Sequence, residues 1–138
     1  MQVKSVMSQS ADWLEPSLHI REAARRMRDE DIGILPIGED DQLVGMVTDR
    51  DLVIRALPDG KDVEAMTVRD AMTDKILYCY EDEDVAEVAE NMGRNQVRRL
   101  PVLNRDKRLV GMVTIGDIAR QGEDEEAGEA LRHICKES

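Results

Sequence analysis

Two threonines in this chain are each followed, three positions on, by an aspartate: Thr48 with Asp51, and Thr114 with Asp117. At that spacing on a helix the hydroxyl and the carboxylate lie about one turn apart. Where a strand runs into a helix, the first backbone N–H groups are unpaired and point at whatever sits beyond the helix end. A phosphate can rest there, with the threonine hydroxyl donating to one of its oxygens. The aspartate can accept from both hydroxyls of a ribose. An adenine ring needs an apolar slot lined by backbone groups, which a short buried strand such as Val97 to Leu100 supplies. A bare Thr-x-x-Asp is also an ordinary helix cap. What favours the binding reading is that the pair occurs twice, each time after the same hexapeptide.

That hexapeptide is Leu43-Val44-Gly45-Met46-Val47-Thr48, and it recurs letter for letter as Leu109-Val110-Gly111-Met112-Val113-Thr114. Upstream, Leu35-Pro36-Ile37 matches Leu100-Pro101-Val102, Met27 matches Met92, Ile20 matches Val85, and Val3 with Met7 matches Val68 with Met72. The offset is 65 residues as far as the turn and 66 beyond it, so the second turn is one residue longer. The chain is an internal duplication.

The elements that position these residues read the same way in both copies. In the first, Ser17 is placed to cap a helix bearing Ile20, Ala23, Ala24 and Met27 on one face. Residues 32–37 form a short buried strand, Glu39-Asp40-Asp41 a turn, and Leu43 to Val47 a second strand. A helix then starts near Asp49, with Leu52, Val53 and Ala56 facing inward. In the second, Asp82 or Asp84 starts a helix bearing Val85, Val88, Ala89 and Met92. Strands over Val97 to Leu103 and Leu109 to Val113 follow, then a helix from Ile115. The organisation is a first repeat over 1–58, a linker over 59–67, a second repeat over 68–121, and an amphipathic helix over 122–138. Each repeat alone has too few elements to bury its apolar face, so the expected fold is α/β in content (α+β in layout). It consists of two β-α-β-β-α units packed with pseudo-twofold symmetry.

Composition narrows the function. A net charge of −11 over 138 residues argues against binding a phosphodiester backbone, so no nucleic-acid partner is expected. No apolar run reaches the roughly 20 residues of a membrane span, and Met1-Gln2-Val3-Lys4 opens no signal sequence. A cytosolic protein without a membrane partner is the expectation. Cys79 and Cys135 form no CxxC pair and read as free, buried thiols, with Cys135 a redox candidate only if exposed. His19 and His133 stand alone, at solvent-facing or helix-capping positions rather than at metal spacing. With no Phe and aromatics at 2%, the core falls to Val, Ile, Leu, Ala and Met, while Trp13 packs at the first strand or a dimer interface. There is no phosphate-loop glycine motif and no nucleophile paired with a base, so catalysis is not expected.

A helix, then hydrophobic-x-x-Leu-Pro-Val, then Leu-Val-Gly-hydrophobic-Val-Thr-x-x-Asp, twice over, resembles the tandem CBS (cystathionine β-synthase) domain pair, or Bateman module. The likeness runs from about Val3 to Arg120. It looks especially similar to stand-alone bacterial pairs, the hypoxic-response type among them, in Asp31 to Ile37, in Thr48-Asp49-Arg50-Asp51, and in Gln96 to Pro101. The resemblance implies a non-catalytic regulatory module with no required cofactor, which binds AMP, ADP, ATP or a related adenosyl ligand in clefts between its copies. It further implies a homodimer, and an effector protein that reads the ligand state. Carried over residue by residue, one cleft pairs Thr48, Arg50 and Asp51 with Val97, Arg98, Arg99 and Pro101. The other pairs Thr114 and Asp117 with Ile32, Gly33 and Ile34. Two guanidinium groups favour the first for a phosphorylated ligand. The second has no cation on its strand, and Gly116 stands where the first has Arg50, so it is expected to be empty, weak or occupied by something less charged. The alternatives are a nucleotide-free structural or redox-responsive dimer with vestigial clefts and, ranked last, a nucleotide-processing enzyme.

Overall fold

The structure is a computed structural model and describes residues 1–9, 13–60, 62–121 and 124–135. Its chain separates into two compact units. The first is Asp12–Ile76; the second combines Met1–Ala11 with Leu77–Ser138.

In the first unit, α1 (Ile20–Glu30) is capped not by Ser17 but by His19, whose Nδ1 accepts the Arg21 N–H at 3.0 Å. The ring's other nitrogen meets the Glu64 carbonyl at 2.6 Å, which ties this cap to a later loop. A serine two positions earlier reaches neither. The helix buries Ile20, Ala23 and Met27, whereas Ala24, expected on the same face, is exposed. It ends in a left-handed residue, Asp31 (φ 52°), and the Ile32 N–H returns to the Met27 carbonyl at 2.9 Å. That closing turn uses Ile32, so β1 (Ile34–Glu39) starts two residues later than the apolar run suggests. It pairs antiparallel with β2 (Gln42–Thr48) through a two-residue turn, Asp40 and Asp41, both at positive φ. Two such residues match the twist of a hairpin.

Helix α2 (Asp49–Ala56) follows β2 directly. It buries Ala56 and half-buries Leu52, but Val53, placed inward by the spacing, is 55% exposed, beside exposed Ile54 and Leu57. Eight residues give the helix little more than two turns, too narrow a stripe to hide all of them. Residues Pro58–Gly60 and Val63–Ala65 form single 3-10 turns, and α3 (Val68–Ala71) closes the unit.

The second unit repeats this plan. Strand β3 (Cys79–Tyr80) pairs parallel with β4 (Arg99–Leu103), which pairs antiparallel with β5 (Leu109–Thr114). In the first unit the counterpart of β3 shrinks to a single bridge, Leu14 with Ile37. Helix α4 (Val85–Asn95) is capped by Asp84 and ends in left-handed Gln96 (φ 53°), the counterpart of Asp31. Beyond β4 the Asn104 N–H donates to the Arg108 carbonyl at 2.9 Å, so the turn proper holds three residues, 105–107, in place of two, with Lys107 at φ 62° and the Asn104 side chain accepting the N–H groups of Asp106 and Arg108. This is the residue that lengthens the offset from 65 to 66. Helices α5 (Ile115–Arg120) and α6 (Asp124–Ile134) complete the unit, α6 burying Ala127 and Ala130 against α4.

The division into units cuts across the repeats. Val3, at the start of the first repeat, is fully buried in the second unit, its N–H on the Glu83 carbonyl and that of Lys4 on the Glu81 carbonyl. Val68, its counterpart, is fully buried in the first unit, its N–H on Leu18 and that of Arg69 on Pro16. Ser8 exchanges two backbone bonds with Met112; Thr73 does the same with Met46. Each repeat therefore lends its leading segment, here called a strap, to the body of the other. The glycine of the repeated hexapeptide permits this. A Cβ at Gly45 would stand 2.7 Å from the Thr73 oxygen, and one at Gly111 2.2 Å from the Ser8 oxygen.

Candidate functional site

Each Thr-Asp pair sits where a strand turns into a helix, and its neighbours come from the same copy. Ile34 lies opposite Thr48 in the β1–β2 register, and the Asp49 N–H donates to the Gly33 carbonyl at 2.9 Å. Arg99 lies opposite Thr114, and the Ile115 N–H donates to the Arg98 carbonyl at 2.9 Å. The structure thus joins Thr48, Arg50 and Asp51 to Ile32, Gly33 and Ile34 in one corner. The other corner joins Thr114 and Asp117 to Val97, Arg98 and Arg99, with Pro101 further along β4. These particular backbone contacts lie within one copy, and the clefts expected from the sequence, which lie between copies, are a separate matter from them.

Within each corner the hydroxyl and carboxylate are already engaged. Thr48 Oγ1 accepts the Asp51 N–H at 3.0 Å, and Asp51 Oδ2 accepts the Thr48 N–H at 2.9 Å. Thr114 and Asp117 show the same two bonds at the same distances. Both pairs are capping boxes. A third, which the sequence reading missed, starts α3: Asp70 accepts the Thr67 N–H at 2.9 Å. Thr67-x-x-Asp70 follows no copy of the hexapeptide, so this spacing caps helices whatever precedes it. Its signal in the sequence is a third Thr-x-x-Asp, one without a counterpart in the other repeat.

Capping leaves chemistry over. Each threonine hydroxyl accepts through a lone pair and keeps its hydrogen for a ligand. Each aspartate spends Oδ2 on the cap, leaving Oδ1 toward an arginine of its own helix: Arg55 at 3.7 Å from Asp51, and Arg120 beside Asp117. Both carboxylates are sheltered, at 13% and 18% exposure. The arginines are largely exposed, where such pairs contribute little and can be displaced. Arg98 is exposed and Arg99 half-buried, and among the described residues no carboxylate of their own unit pairs with either. A hollow of about 460 Å³ lies elsewhere on the second unit, between α4 and α6, lined by Glu90, Arg94, Glu125, Glu129 and His133 among others, and it touches none of the candidate residues.

The remaining candidates resolve simply. Cys79 is buried, and burial, helped by the charge of Glu83, pushes its thiol up to about 12. It stays a neutral, unreactive thiol at physiological pH. Cys135 is exposed rather than buried, being at the tip of α6 where one face meets solvent. His19 is a helix cap, and His133 faces Glu129 at 3.9 Å. Trp13 packs on β1, so close that a Cβ at Gly38 would fall 2.7 Å from its ring. No helix among the described residues is long and apolar enough to cross a membrane.

Paired α+β repeats, each with a Thr-Asp corner and a borrowed strap, define a tandem two-copy module. The CBS domain family model matches residues 3–57 and 68–124, and the chain belongs to that family. Hypoxic response protein 1 of Mycobacterium tuberculosis (strain ATCC 25618 / H37Rv) is 43% identical over 114 residues, covering 82% of this chain and 79% of its own. A crystal structure of hypoxic response protein I with two coordinated zinc ions superposes with a TM-score of 0.78 at 39% identity, covering 88% of this chain and 98% of that one. The CBS pair of protein MJ0100, in complex with 5-methylthioadenosine and S-adenosyl-L-methionine, gives 0.75 at 30% identity over 91% and 98% of the two chains. CBSX2 in complex with AMP gives 0.78 at 25% identity over 89% and 97%. Among the described residues of this chain, no group of three or more His, Cys, Asp or Glu is arranged to hold a metal.

Proposed function

We propose that this chain binds an adenosyl ligand of the AMP, ADP, ATP or S-adenosylmethionine type without transforming it, as a cytosolic homodimer that signals to a partner protein. The observation that carries the proposal is the duplicated corner. In it a sheltered carboxylate whose second oxygen meets an arginine of its own helix, a hydroxyl with a spare hydrogen and the start of a strand meet twice in the same geometry. The carboxylate oxygen that faces the arginine suits a ribose once that surface pair opens, and the backbone before β1 and β4 suits the edge of a base. That two similar CBS pairs were solved with adenosyl ligands supports the same reading. A ligand can shift such a module only by binding its two conformations unequally. The partner would read that shift in trans.

A second reading has its own support. The three capping boxes show that Thr48, Asp51, Thr114 and Asp117 already have structural work, so a nucleotide-free dimer is the rival. Thermal unfolding with AMP, ADP, ATP and S-adenosylmethionine separates the two. A ligand held at a hundredfold excess over its dissociation constant stabilises the fold by about 2.7 kcal/mol. A clear rise in Tm with at least one of the four is the expected result, and a flat panel favours the rival.

A further inference from the structure

Duplication gave the two units matched helical faces, and those faces now carry opposite charge. In the second unit the hollow of about 460 Å³ between α4 and α6 is lined by small residues, Ala86, Gly93 and Ala130, and by the carboxylates of Glu90, Glu125, Glu126 and Glu129. Its one guanidinium is that of Arg94, so with His133 neutral the lining is net −3. The 65-residue offset puts Arg21, Arg25, Arg28 and Asp29 of α1 where α4 has Ala86, Glu90, Gly93 and Arg94. Three guanidiniums against one carboxylate make that face net +2, whereas Glu90 and Arg94 cancel. The three arginines already meet Glu64, Glu22 and Asp29, but as exposed surface pairs that contribute little and exchange readily. Beside α1, helix α2 presents Arg50, Val53, Ile54 and Leu57 along one side, all exposed. In the second unit α6 packs over both α4 and α5. Among its described residues the first unit has no counterpart of α6. Three large apolar side chains left together in solvent mark an interaction surface.

What covers that surface follows from the charges. A contact between two first units sets arginine against arginine, and one between two second units sets carboxylate against carboxylate. Only unlike units bring opposite signs together, and complementary charge is what selects one pairing over another. We propose that two molecules of this chain associate head to tail. The α1–α2 face of one molecule's first unit seats on the α4–α6 hollow of its partner's second unit, with Val53, Ile54 and Leu57 toward the small residues and the arginines toward the carboxylates. Each molecule carries both faces, so a pair related by a twofold axis makes the contact twice. This rests on the homodimer reading and adds to it which units meet.

Sedimentation velocity on the full chain tests it. The unsubstituted chain should run as a dimer, and Arg25→Glu or Glu129→Arg alone should raise the dimer dissociation constant at least tenfold. An equal mixture of the two variants should recover the dimer, because one of its contacts is native and the other has the same two charges exchanged. Both substitutions in one chain should recover it as well. Leu57→Asp, at an exposed position outside the core, should weaken the dimer by a similar factor. A mixed dimer of Arg25→Glu with the unsubstituted chain that is tighter than the unsubstituted dimer means that like units meet, and overturns the proposal. So does a dimer that none of the three substitutions weakens, or an assembly that keeps growing beyond a pair. If the unsubstituted chain is monomeric at every concentration, the homodimer reading itself has failed and this proposal falls with it.

Discussion

The first and second units share strands, straps and corners almost bond for bond, yet their helical faces have diverged. In the second, α6 lies along α4 so closely that a Cβ on Gly93 would stand 3.3 Å from the Ala130 Cα, and Gln96 donates across to the His133 carbonyl at 3.2 Å. In the first, Arg28 takes the place of Gly93, α1 is a strip of arginines and acids, and α2 leaves Val53, Ile54 and Leu57 in solvent. The shared features are those that backbone geometry enforces: glycines where a strap presses on a strand, left-handed residues at helix ends, and paired caps. What varies is side chains whose surroundings each copy could change alone. Duplication has kept the scaffold and released the surface.

Three perturbations probe that comparison. Deleting residues 1–8 removes Val3 and Val6, 0% and 7% exposed, from the second unit rather than from the repeat that encodes them. The loss should be about 4 kcal/mol at about 2 kcal/mol per buried valine. Amide hydrogen exchange should show β4 and β5 losing protection before β1 and β2; the opposite order would break the assignment of the straps. A smaller effect separates the two glycines of the hexapeptide. Gly111→Ala, whose methyl meets the Ser8 oxygen at 2.2 Å, should cost about 3 kcal/mol. Gly45→Ala, at 2.7 Å, should cost about 2 kcal/mol. Urea midpoints compare them, and equal costs would mean the straps yield alike. Smallest are the caps. Asp51→Ala, Asp117→Ala and Asp70→Ala should each lose about 1 kcal/mol. Only the first two should also weaken adenosyl binding by calorimetry. If Asp70→Ala weakens it equally, the corners act through stability alone.

Much of this was legible in the sequence. The hexapeptide, the Leu-Pro strands and the extra residue in the second turn carried the element order, because strands and tight turns are written in local residue types. The Thr-Asp spacing identified both corners but not their engagement, since a cap and a binding pair use the same atoms. Three things were not local. His19 caps α1 because Glu64, 45 residues on, holds its ring in place. The outward turn of Val53 reflects how narrow a two-turn helix is, which periodicity alone does not weigh. The bond from the Asp49 N–H to the Gly33 carbonyl joins residues sixteen positions apart, and only the strand register brings them together.

The straps also decide how the molecule answers tension. Residue 1 and residue 135 both belong to the second unit, and the chain leaves that unit once and returns once. The first unit is thus spliced into the second like a loop closed at its base. A pull applied at those two points is borne by the contacts of Val3, Lys4 and Ser8 until they give way. Only afterwards does the load reach residues 13–76, so extension should proceed in a fixed order, second unit before first.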